Sequence, residues 1–245
     1  MPPNAPTASG SMLLRAGFVA LTLALYLLFV VAVYLSAQRS GIDGSRARRQ
    51  TTLAAILAAA WIAATGIAAA RGVLRMWGPP TMGPVLVGML VIAIGVALSP
   101  LGRRIVANVS IAALVGYQGF RVLVELLLHR AYVEGLMPVQ MSWSGRNFDV
   151  VSGVTALLLG AWLATGRRSR GLVLAWNVLG VLLLANIIAV ALLSAPTPFR
   201  VFMNEPANTF ITHVPWIWLP AVMVLAAVMG HALVFRWLVR VERER

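Results

Sequence analysis

The 245 residues contain no cysteine and no lysine, and only seven acids. Without cysteine there is no disulfide, no thiolate zinc site, no cysteine-held iron–sulfur cluster and no cysteine nucleophile. Without lysine there is no retinal Schiff base, which removes the rhodopsin chemistry that a bundle of many apolar helices would otherwise suggest. Charged residues are scarce as well, at 11% of the chain against about 25% in soluble domains. Three enzyme signatures are absent: the H-E-x-x-H metalloprotease helix, the Walker phosphate loop and the G-x-S-x-G nucleophile elbow. Ser142 and Ser144 share a loop region with the end of a helix that carries His129, but nothing in their spacing fixes a serine–histidine dyad.

What is present is sequence suited to lipid. Sixty per cent of the residues are hydrophobic and the mean hydropathy is +0.86. All 20 basic residues are arginine and give a formal charge of +13. Most of them sit in short segments between apolar runs, so membrane topology explains the charge and nucleic-acid binding is not expected. The expected fold is all-α, an integral membrane bundle of about seven transmembrane helices over about 12–35, 51–70, 81–98, 105–130, 150–166, 171–193 and 210–239, the first of which is long enough for a core of about 30 Å at about 1.5 Å per residue. They make one domain, 12–240, between a disordered lead over 1–11 and a charged cytoplasmic tail over 241–245. The first run is too long for the apolar part of a signal peptide, and its basic cluster (Arg39, Arg46, Arg48, Arg49) follows it, so it is read as a retained span.

The arginines orient the bundle. With the N-terminus outside, the inner segments carry Arg39, Arg46, Arg48, Arg49, Arg103, Arg104, Arg167, Arg168, Arg170, Arg236, Arg240, Arg243 and Arg245. The outer segments carry only Arg15, Arg71, Arg75, Arg130, Arg146 and Arg200. The positive-inside rule then puts the C-terminus in the cytoplasm. Local signals add detail. Ala55, Ala59 and Ala63 recur every four residues on the second span, a spacing that lets helices approach closely in lipid and offers a surface to a membrane protein partner. Arg71, Arg75, Trp77 and the pair Pro79-Pro80 mark a turn, Asn147 or Asp149 is placed to cap the fifth span, and Pro215 and Pro220 should bend the start of the seventh. Trp77, Trp143, Phe148, Phe199, Phe202, Trp216 and Trp218 lie where an interfacial aromatic belt belongs.

The fourth span carries the polar side chains. At 100° per residue Gln118, Arg121, Glu125, His129 and Tyr132 lie within about 80° of one another on one face. An unpaired arginine at that depth costs about 2.5–3.5 kcal/mol or more, so Arg121 needs a partner. Glu125 is in reach at the i,i+4 spacing, with Asn177 or Asn186 of the sixth span as further partners. The same outer side receives two loops with Glu134, Arg146, Asn147, Asp149, Arg200, Asn204, Glu205 and Asn208. Gly145, Arg146, Asn147 and Asp149 suit an ordered cap over a cavity.

Two readings follow for this stripe: internal glue, or an outward-facing polar pocket for a small polar ligand. The pocket would be built from Gln118, Arg121, Glu125, His129, Tyr132, Arg146, Asn147, Asp149, Asn204 and Glu205. It would suit a binding or accessory protein of transporter-like or sensory type. A second function class is a haem- or metal-dependent membrane oxidoreductase that uses His129 and His213, which end and begin spans on the same side. His231 lies about 27 Å further down its helix than His213 and is read as a packed or hydrogen-bonded side chain. A third is a structural subunit of a membrane complex. The motifs F-R-x-x-V-E at 120–125, E-G-L-x-P at 134–138 and G-R-N-F-D at 145–149, with N-E-P-A-N-T-F at 204–210, resemble a group of uncharacterised bacterial multi-pass membrane proteins. That resemblance implies an inner-membrane location and carries no activity.

Overall fold

The computed structural model describes residues 10–75 and 82–243, with side chains through residue 241. It is all-helical, 77% helix with no strand among the described residues. Trp77, Pro79 and Pro80, with the turn expected there, and the lead over 1–9 lie outside the described residues.

Helix α1 (Met12–Arg39) and helix α2 (Gly44–Ala70) form an antiparallel pair. Ser11 starts α1 by accepting from the Leu14 amide, and Asp43 starts α2 by accepting from Ser45 and Arg46, each satisfying amides that the first turn leaves free. Helix α3 (Met82–Leu98) is followed at once by α4 (Pro100–Asn108), at 58° to it. Ser99 caps the new helix and Pro100 sits in its first turn, where its missing N–H costs nothing. Gly102 is required at the bend, because a Cβ there would overlap the carbonyl of Ala97.

Extended Val109 ends α4, and Ser110 caps α5 (Ile111–Gly116), which runs through one tight turn into α6 (Phe120–Val133). The helix expected as the fourth span therefore covers 111–133. Residues 105–108, expected within it, belong to the bent helix α4, which exposes Arg103 and buries Ile105 and Val106.

Helices α7 (Asp149–Ala164) and α8 (Arg170–Leu193) follow. The last helix also differs from expectation. Residues 210–212 make a single 3-10 turn, and a π-helical segment over Leu219–Val224 leads into α9 (Leu225–Arg243). Pro215 thus precedes the helix and Pro220 lies in its first turn, since neither can donate the amide a helix interior needs. Helix α9 also runs through 241–243, which were expected to be tail.

Among the described residues five helices are long and apolar enough to cross a membrane (α1, α2, α5–α6, α8 and the π-helix with α9), and six if α3–α4 counts as one broken span. Helix α7 is apolar but shorter. Their outward faces are greasy: Leu57 is 61% exposed and Leu158 68%. Helix α2 is the least covered, and Ala59 and Ala63 point outward from it. Of the alanine repeat Ala55 is the partly covered member, its carbonyl accepting from the Tyr26 hydroxyl at 3.4 Å. The buried positions of α2 are Ala47, Thr65, Gly66 and Ala69 instead.

Two ends can be told apart. At the basic end Arg39 donates to the Asn108 carbonyl, Arg104 to Ser36 and Gln50, and Arg236 to the Ala97 and Ser99 carbonyls. At the other, Ser11 bonds Glu134, and the loops 134–148 and 194–218 interlock. One apolar cluster, which includes Phe18 packed edge-on to Trp216 at 4.9 Å, lies toward the loop end. A second, with Ile105, Val115, Val173 and Val234, lies toward the basic end.

Candidate binding site

Between those two clusters α6, α7, α8 and α9 meet around Arg121. Small residues make the approach possible. A Cβ on Gly160 of α7 would stand 2.7 Å from the Gly116 Cα, and one on Gly153 would stand 2.8 Å from the Val122 nitrogen. On α8, a Cβ at Gly180 would stand 2.9 Å from His231 Nε2 and 3.0 Å from Ser152 Oγ. Glycine at these points brings Asp149, Ser152 and His231 up to the guanidinium.

Arg121 is 2% exposed and all five of its N–H groups can be assigned. Nε donates to Asp149 Oδ2 at 2.7 Å and Nη2 to Asp149 Oδ1, a side-on pair. Nη1 donates to Ser152 Oγ at 2.7 Å and to His231 Nε2 at 2.8 Å, and Nη2 also reaches the Gly180 carbonyl at 3.4 Å. An arginine cannot accept, so His231 Nε2 is the acceptor and the proton sits on Nδ1, which donates to Asn177 Oδ1 at 2.8 Å. Asn177 Nδ2 donates back to the His231 carbonyl at 3.2 Å and fixes that arrangement. Arg121, expected to pair with Glu125, is thus spent on Asp149 instead, because a carboxylate on a facing helix can take two donors of the planar fork at once.

Glu125 is 1% exposed. Its Oε2 accepts from Asn147 Nδ2 at 2.7 Å, and its Oε1 has no hydrogen-bond donor among the described residues. Asn147 is held in turn: Nδ2 also donates to the Met141 carbonyl at 3.0 Å, and Oδ1 accepts from the Asp149 amide at 3.0 Å. The loop can fold back this far because Gly145 lies against Gln140, where a Cβ would be 2.5 Å from the Gln140 Cα. Asn147 and Asp149, both expected as caps of the fifth span, divide the work: Asn147 takes the first amide, and the Asp149 carboxylate turns inward to Arg121. Phe148 is the residue at the cap position.

Beside this cluster lies a cavity of about 90 Å³. Arg121, Glu125 and Asp149 form its polar floor, with Asn208 on the wall; the rest is apolar, from α3, α6, α8 and the π-helix. Its lining includes Leu192, 43% exposed, and reaches from α3 to α8. The site is an apolar recess with a charged floor, where a polar pocket was expected.

The other expected site residues lie elsewhere. Gln118 is fully buried and donates to the Ala227 carbonyl at 3.0 Å, beside Tyr117, whose hydroxyl donates to the Ala226 carbonyl. His129 stacks on Trp143 at 4.3 Å and lies 6.1 Å from the Tyr132 ring. Arg146 sits over the Phe202 ring at 5.3 Å, and Asn204 and Glu205 are exposed, where Arg200 ties the Asn204 carbonyl to the Glu205 carboxylate. His213 is exposed and lies against Thr209 and Thr212, with no hydrogen bond or ring contact to His129. Among the described residues no three His, Asp or Glu side chains gather where one metal ion could be held. Sequence reasoning missed Ser152 and Gly180, and placed His231 outside the site. Their signal is faint: a serine three residues after Asp149, and one more glycine in an apolar helix.

Fold and site together define an all-helical bundle of apolar, membrane-length helices with a buried ionic cluster at the crossing of four of them. Residues 80–239 match the model of a family described as a domain of unknown function, DUF8737. The chain belongs to that family. No curated protein and no solved structure matches it.

Proposed function

We propose that the chain is a multi-pass protein of a bacterial inner membrane that crosses the bilayer seven times with its N-terminus outside, and that it binds a small amphipathic ligand and catalyses no reaction. Seven crossings require α3 and α7 to span as well. At about 1.5 Å per residue their 17 and 16 residues reach about 24–26 Å, which modest thinning of the bilayer accommodates. The ligand would enter sideways between α3 and α8, lay its apolar body against Leu184, Ile188 and Met223, and present a donor or cationic head to Glu125.

The observation that carries this reading is the free oxygen of Glu125. Arg121 has no donor left for an anion, and Asp149 already neutralises it. Glu125 is a buried side chain that lines the recess, and its Oε1 takes no donor among the described residues, so an arriving donor would find an acceptor there. The test is thermal unfolding of the purified protein, followed by tryptophan fluorescence, with hexylammonium and with hexanoate as an anion of equal length. Hexylammonium is expected to raise the Tm saturably, hexanoate to leave it unchanged, and Glu125→Gln to abolish the effect. Equal response to both ions, or a full response in Glu125→Gln, overturns the reading.

A further inference from the structure

A second and larger cavity, about 680 Å³, lies on the opposite side of α9. Helices α1 and α9 form its floor, α2 one wall, and α3, α4 and α5 the other. Along α1 the lining runs from Leu25 through Phe29 and Ala32 to Arg39, about 21 Å of helix by its rise. A single leaflet of the hydrocarbon core is about 15 Å deep, half of about 30 Å. The groove is thus as long as one leaflet and reaches past it at one end. Ala54 and Ala58 of α2 keep it wide where a larger side chain would close it.

The end it reaches is basic. Arg39 closes the lining, and among the described residues its guanidinium is committed only through Nη1, to the Asn108 carbonyl. Arg104 lies across from it, tied to Ser36 and Gln50, and Arg46, Arg49 and Arg103 are exposed on the neighbouring turns. The acid of that turn, Asp43, is turned back on Ser45 and the α2 amides. An apolar slot of leaflet length that ends at an arginine with no ion pair among the described residues has the shape and charge to take a phospholipid with an anionic head. We propose that this groove holds one anionic phospholipid, an acyl chain lying along α1 between α2 and α5 and the phosphate at Arg39. The inference uses the membrane reading but not the Glu125 site, so either can fail alone.

The test loads the full-length protein in mild detergent with equal amounts of phosphatidylglycerol and phosphatidylcholine of identical chains, removes free lipid by gel filtration, and counts the lipid that remains by mass spectrometry. About one phosphatidylglycerol per chain is expected, enriched over phosphatidylcholine. Arg39→Gln is expected to lower the enrichment about fivefold, the equivalent of about 1 kcal/mol for one arginine at a charged surface. Ala58→Trp, which fills the slot, is expected to reduce both lipids to background while helicity by circular dichroism is unchanged. Should Ala58→Trp fail to fold, Arg39→Gln decides alone, since that side chain is exposed. Equal retention of the two lipids by the unaltered protein, an unchanged ratio in Arg39→Gln, or full retention in a folded Ala58→Trp overturns the proposal.

Discussion

At the scale of single residues, the behaviour of Arg121 depends on how completely it is used. A buried ion pair gives little net stability against an apolar replacement, but removing one partner strands a charge and costs about 3–5 kcal/mol. Arg121→Leu and Asp149→Leu are each expected to lose stability of that size in denaturation of the purified protein. The double replacement should recover a substantial part of it, because neither charge is then left alone. Glu125→Gln is expected to behave differently and keep the fold, since Asn147 can still donate to an amide oxygen. Gly180→Val should push His231 off the guanidinium, for the space it needs is already taken by the imidazole and Ser152; a loss of about 1–3 kcal/mol from overpacking is the expected outcome.

At the scale of elements, the start of α1 is pinned to the end of α6. The Ser11 amide and hydroxyl both donate to Glu134, at 2.7 and 2.6 Å, and Arg130 adds a third bond. Burial alone would raise the Glu134 carboxyl, but the bonds from Ser11 and Arg130 outweigh it and hold the group below its ordinary 4.5. A carboxyl depressed in the folded state stabilises above its unfolded pKa and loses that contribution as pH falls through the folded one. The stability difference between the unaltered protein and Glu134→Ala is therefore expected to be constant near neutrality and to shrink as pH falls below about 4.5. A difference that does not change with pH would mean that the contact is packing alone. The broken region α4–α5 was also partly open to inspection. Ser99-Pro100 and Ser110 are capping signals, but the stretch from Ile105 to Val115, apolar apart from Asn108 and Ser110, hides a break that one extended residue, Val109, creates.

At the scale of the whole molecule, the proposed seven crossings put the Gly41 turn and the Thr197 loop on opposite sides of the membrane. The chain has no cysteine, so Gly41→Cys and Thr197→Cys can be made singly without a background. A membrane-impermeant maleimide added to intact cells is expected to label position 197 and not 41, and the reverse pattern would invert the orientation. The sequence by itself determined that the chain is a bundle of apolar helices, where its arginines gather, and that Arg121 must be paired, because hydropathy, charge and the cost of burying a cation are local properties. It also pointed to 116–149 as the polar centre, and Asn147 and Asp149 do fold into that centre from the loop. Only the tertiary structure decided that Asp149 outbids Glu125 for the guanidinium, that His231 belongs to the cluster, and that Glu125 keeps a free oxygen over an apolar recess. Those outcomes depend on which helices touch, and here that was set by glycines at the crossings, whose effect is the absence of a side chain and leaves almost no trace in a one-dimensional pattern.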